Sequence, residues 1–110
     1  MYVLCVYVPE GYEERVKNAC FDAGGGSIGR YDRCCWQSLG RGQFRPLQGS
    51  CPFLGDEGEV EFVREWRIEM VCDDDVIADV VTALRDSHPY ETPAFHLIPA
   101  LGDVLSEKHQ

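Results

Sequence analysis

Between Val60 and Cys72 the chain alternates cleanly: Val60, Phe62, Trp66, Ile68, Met70 and Cys72 share one parity, while Glu61, Glu65, Arg67 and Glu69 occupy the other. Successive side chains of a strand point to opposite faces, so the pattern predicts one long strand with a buried and a solvated face. A strand of this kind needs neighbouring strands and a covering layer, and 110 residues leave room for one such core, not two. Arg64 interrupts the apolar parity. It implies either a bulge at Val63 or a guanidinium held against the core by a partner, and the bulge is favoured because long strands commonly bend at one.

The flanking segments supply the missing layers. Residues 2 to 8 are apolar at nearly every position, as in a strand buried on both faces in the middle of a sheet. From about Tyr12 to Ala23, Val16, Ala19, Cys20 and Ala23 recur at helical spacing, Glu10, Glu13 and Glu14 favour the positive end of the dipole, and Gly24 supplies a stop. Arg30 to Leu39 reads as a second strand. Asp73, Asp74 and Asp75 offer a cap for a second helix whose buried stripe is Ile77, Val80, Val81 and Leu84, and Pro89 forbids its continuation. Phe95, Leu97 and Leu101 form one face of a last strand, with Pro99 marking an edge or an end. The order strand, helix, strand, strand, helix, strand closes most simply as an α+β, ferredoxin-like βαββαβ two-layer sandwich. One domain over residues 1–101 is expected, followed by a polar tail at 102–110.

Composition narrows the partners. Ten basic and 19 acidic residues give a net charge of −9, which argues against nucleic acid. The apolar N-terminus is short, lacks a basic leader and runs into Pro9, so it reads as a strand and not a signal peptide, and no stretch is long enough to span a bilayer. A cytoplasmic protein with no membrane partner is expected. The six cysteines (Cys5, Cys20, Cys34, Cys35, Cys51, Cys72) contain no C-x-x-C spacing and several fall in apolar segments, so they read as reduced thiols, with a regulatory role for Cys34 and Cys35 left open.

Three places could carry chemistry. Gly24-Gly25-Gly26-Ser27-Ile28-Gly29 matches a dinucleotide fingerprint in letters, but it leaves a helix and enters a strand, the reverse of the order that points amides at a pyrophosphate; it reads as a helix stop with close backbone contact. Residues 40–58 interleave five glycines and two prolines with a few apolar anchors, a long loop or extra hairpin of the kind that usually works in binding. His88-Pro89-Tyr90-Glu91 sets an imidazole, a phenol and a carboxylate on a turn stiffened by proline. One account has protonated His88 complementing the helix dipole while Tyr90 and Glu91 tie down the turn. The other makes this turn, with Arg41, Phe44 and Arg45, a site for a small anion or a protein partner, since arginine recognises carboxylate and phosphate bidentately. A metal site from His88, Glu91 and His96 follows no recognised ligand spacing. No nucleophilic arrangement can be argued from spacing, so no enzyme and no cofactor are expected.

Val8-Pro9, Ala23-Gly24 with Ile28-Gly29-Arg30-Tyr31-Asp32, Gly42-Gln43-Phe44-Arg45-Pro46, Pro52-Phe53-Leu54-Gly55 and His88-Pro89-Tyr90-Glu91 together resemble the extra domain inserted in many bacterial members of the Nif-three-like (NGG-interacting factor three) family. The resemblance runs from Tyr2 to about Leu101 and implies a standalone version of that insert. In long family members the insert interrupts a dinuclear-metal hydrolase-like domain whose ligands lie outside it, so the hydrolase activity does not transfer. The insert is similar in fold to PII proteins and CutA, which implies a homo-oligomer, a trimer foremost, with residues 40–58 as the working loop and ligands bound near its base. It also raises two alternatives: copper or zinc handling in the CutA manner, and an accessory subunit for a hydrolase-like domain.

Overall fold

The computed structural model describes residues 1–101; the polar tail expected at 102–110 lies outside the described residues. The elements are β1 (Tyr2–Pro9), α1 (Glu13–Asp22), β2 (Trp36–Phe44), β3 (Glu61–Cys72), α2 (Ile77–Ser87) and β4 (Phe95–Pro99). The strands form one sheet in the order β2-β3-β1-β4, every pair antiparallel, which is the expected ferredoxin-like plan. Leu4, Val6 and Val8 of β1 face Ile68 and Met70 of β3, and Val16 and Cys20 of α1 with Val80 and Leu84 of α2 close over them as a single core. β1 earns its apolar run by sitting between two strands beneath both helices. The other sheet face carries Tyr7, Arg67, Glu69 and His96, and no helix of the described residues covers it.

Four expectations change, the smallest being that the last strand ends at Pro99 and leaves Leu101 exposed beyond it. β2 begins at Trp36 and ends at Phe44, not at Arg30 and Leu39. Upstream of it the chain folds back on α1: Arg33, at φ 55°, reaches Asp22 at 2.8 Å, and the Cys34 amide donates to the Gly26 carbonyl at 2.8 Å. The strand starts only where those ties end, and the excursion shrinks to residues 45–60, because Gly40 and Gly42 pair with Glu65 and Val63 in the ladder. Second, there is no bulge at Val63. The β2–β3 register runs unbroken from Trp36↔Glu69 to Phe44↔Glu61, and Arg64 is exposed, its guanidinium 3.1 Å from Glu10. The β1–β3 ladder stops at Pro9↔Glu65, so position 64 lies beyond the core and a charge there is not desolvated. Third, the aspartates do not cap α2 with a side chain; the Asp73 carbonyl takes the Val76 and Ile77 amides instead.

The glycine run after α1 works by close approach. The Gly26 amide donates to the Val71 carbonyl at 2.8 Å, its φ is +78°, and a Cβ there would lie 2.7 Å from the Cys34 carbonyl and 2.9 Å from the Phe21 ring. Gly26→Ala should therefore destabilise by roughly 2 kcal/mol or more, while Gly40→Ala, with open space at its Cβ, should stay within about 0.5 kcal/mol of the parent. Urea denaturation of the two variants checks the contrast.

Candidate functional site

The site begins with a helix that has to stop. Pro89 disfavours helical geometry at the residue before it, and His88 is extended at φ −73°, ψ 135°. That turn delivers the imidazole to the core, where it is 5% exposed. The Tyr90 amide donates to Nδ1 at 3.1 Å, so Nδ1 is the unprotonated nitrogen, and Nε2 carries the hydrogen it gives to the Tyr7 carbonyl at 2.7 Å. Burial holds its pKa below the ordinary value, outweighing the Tyr7 carbonyl, which favours the proton. The Tyr7 amide in turn donates to the Ala94 carbonyl at 3.1 Å. Both ends of the 88–94 turn are thus fixed to the last part of β1.

Above this base the excursion folds over. Phe44, the last residue of β2, stands 5.8 Å from the Tyr90 ring centroid, and Phe53 stands 6.3 Å from Tyr90 and 5.4 Å, edge to face, from Tyr12 at the start of α1. Glu91 accepts the Cys51 amide at 2.9 Å, which pins the excursion to the turn. Between them lies a cavity of about 240 Å³, walled by Phe44, Phe53, Leu54 and Tyr90, with Glu65 and Glu91 as its charged groups. Glu65 reaches it across Gly42: a Cβ at Gly42 would sit 2.0 Å from Glu65 Oε1, so any larger residue would expel the carboxylate. Burial raises the Glu65 pKa, partly offset by the neighbouring Tyr90 hydroxyl. Tyr90 is pushed up to about 12, first by burial and then by the Glu65 charge. Its enclosed hydroxyl faces Glu65 and no other described partner.

A larger depression of about 440 Å³ lies on the projecting hairpin between Leu39–Arg41 and Phe62–Arg64, but it is shallow and its cations are engaged. Arg41 rests 4.1 Å over the Phe62 ring and Arg64 is paired with Glu10. Convergent polar groups and aromatic walls single out the smaller cavity.

Of the residues expected from sequence, Phe44, Tyr90 and Glu91 line this cavity. His88 lies beneath it as a positioning residue, neutral and doubly hydrogen-bonded, so it neither complements the helix dipole as a cation nor offers a free nitrogen to a ligand. Arg41 is on the other face of the hairpin, and Arg45 is exposed and does not line the cavity, so the arginines and the turn do not converge. His96 is on the open sheet face, edge-on to Tyr7 at 6.3 Å. The triad His88, Glu91 and His96 is therefore not assembled, and no group of three His, Cys, Asp or Glu suited to a metal occurs among the described residues. Sequence reasoning missed Glu65, Phe53 and Tyr12. Glu65 looked like one more polar position on the solvated face, and only the strand pairing shows that a glycine and a folded-over loop cover it.

The scaffold is a ferredoxin-like sandwich of the kind found in CutA and PII-like proteins. The PII-like protein CutA from a Nostoc species superposes with a TM-score of 0.67 at 17% identity, covering 99% of this chain and 88% of that one, a likeness of fold alone. No family model matches the chain. It is 47% identical over 96 residues to the GTP cyclohydrolase 1 type 2 homolog of Bacillus subtilis, covering 87% of this chain and 26% of that protein. A Bacillus cereus protein related to NIF3 superposes with a TM-score of 0.78 at 35% identity, over 90% of this chain and 25% of that one. The chain thus spans about a quarter of the length of the curated relatives it matches.

His88 links the cavity to stability. The folded state keeps the imidazole neutral, whereas the unfolded chain takes up its proton near the ordinary value of 6.5. Its contribution is thus complete above that pH and is lost as pH falls toward the depressed folded value. His88→Ala should cost about 2 kcal/mol at pH 8 by stranding the Tyr7 carbonyl and the Tyr90 amide, and the gap from the parent should narrow by pH 5. Urea midpoints across that range check both statements.

Proposed function

We propose that this chain is a non-catalytic binding module of the Nif-three-like family, equivalent to the inserted domain of its longer members, working in the cytoplasm. The observation that carries the reading is the cavity itself: three segments separated in sequence are tied together there by the His88 and Glu91 hydrogen bonds, and aromatic rings and unspent polar groups face the same space. Homology to a segment of the NIF3-related proteins supports the family, and the thiol form of all six cysteines agrees with a reducing compartment. Among the described residues no helix is long and apolar enough to cross a membrane.

The module assembles as a symmetric trimer through the face of the sheet that no helix covers. Supporting this are Trp36 and Ile98, which are 60% and 50% exposed on that face beside the partly buried Val3 and Val71. The matched segment is about a quarter of each relative, which favours an accessory role beside a separate domain as a second reading.

Light scattering should give three times the chain mass for the parent and the monomer mass for Trp36→Glu; a monomeric parent overturns the assembly. Incubation with GTP, with and without divalent ions, should give no product. Sustained turnover that copurifies with the protein overturns the non-catalytic reading.

A further inference from the structure

The ligand of the cavity can be narrowed by asking what its walls lack. Glu65 is half-buried, yet none of the ion pairs among the described residues involves its carboxylate, and the polar side chain it faces is the neutral Tyr90 hydroxyl. Partial burial of a carboxylate without a counter-charge costs stability, and folding alone does not explain keeping it. No cation lines the cavity: Arg41 lies over the Phe62 ring on the other face of the hairpin, Arg64 pairs with Glu10, and Arg45, although it follows Phe44, is exposed and outside the lining. Glu91 adds a second carboxylate at the rim, and burial first, then the Glu65 and Glu61 charges, raise the Tyr90 pKa. The remaining wall is aromatic, and the faces of Phe and Tyr rings carry the negative end of a quadrupole that attracts cations. An anion would meet carboxylates, π-faces and no arginine.

We propose that the cavity between Phe44, Phe53, Tyr90 and Glu65 binds a small organic cation, an alkylated ammonium or guanidinium group. This rests on the binding-module reading and specifies its ligand class. The Glu65 carboxylate takes the charge, the Tyr90 hydroxyl oxygen accepts an N–H where the cation carries one, and the rings of Phe44 and Phe53 enclose the alkyl part. About 240 Å³ suits a head group and a short chain, not a nucleotide. Gly42 belongs to the site because its missing side chain leaves the space in which Glu65 lies. The net charge of −9 adds long-range attraction for the same class of ligand.

Amide and aromatic NMR signals of the full chain should be followed during titration with methylguanidinium, tetramethylammonium and, separately, inorganic phosphate. Either cation should give saturable shifts centred on Phe44, Phe53, Glu65 and Tyr90, with phosphate leaving them in place. Glu65→Gln should weaken the cation at least tenfold and raise the urea midpoint, since it removes an unpaired charge; Phe53→Leu should weaken it several-fold. Unchanged cation affinity in Glu65→Gln overturns the proposal. Phosphate-induced shifts at these residues, without cation-induced ones, overturn the cation and leave the binding module standing. No shift with any of the three overturns both.

Discussion

The imidazole of His88 joins the scaffold to its working end. A polar ring inside an apolar core is tolerable only when each nitrogen is answered, and here the central strand's Tyr7 carbonyl and the Tyr90 amide do so with one tautomer. Tyr90 inherits its position from that arrangement, Phe44 and Phe53 pack against Tyr90, and Glu91 holds the Cys51 amide. The placement of the excursion therefore depends on a ring that never touches the cavity it supports.

The cavity shows the opposite economy. His88 is answered at both nitrogens, whereas in the cavity the Tyr90 hydroxyl and the Glu65 carboxylate face each other with no cation beside them; elsewhere Trp66 Nε1 and Gln37 Oε1 are also enclosed without a partner. Unanswered groups gathered in one concave place differ in kind from the surface pairs of this chain, such as Arg33 with Asp22 or Arg64 with Glu10, which are solvated and contribute little to stability.

Much of the architecture was legible in the sequence because periodicity reports burial directly. The alternation of β3, the uniformly apolar β1 and the helical stripe through Val80 and Leu84 each name an element and its inward face. The start of β2 was not legible, since Tyr31, Cys34 and Cys35 look strand-like until Arg33 is seen folded back on Asp22. Arg64 misled for a related reason: a break in parity signals a bulge only inside a core, and the sequence does not reveal that the β1–β3 ladder stops at Pro9. Of the site, residues on the proline-stiffened turn were found by local chemistry. Glu65, which meets them across the sheet, carries no local mark, and His88 reads from sequence as a dipole-complementing cation or a ligand residue, whereas the buried ring is a neutral, doubly hydrogen-bonded support.

The two halves of the β2–β3 hairpin differ in support. From Trp36 to Gly40 its ladder is backed by β1 on the far side of β3, but from Arg41 to Phe44 it continues as a ribbon of two strands alone. Ribbons of two strands are marginal in water. One wall of the cavity, Tyr90, is thus bolted to the core, while Phe44 and the loop bearing Phe53 stand on the less supported half. An occupant touching both would act as a splint, and its grip would show as slowed amide exchange in the ribbon, not as a movement of the turn.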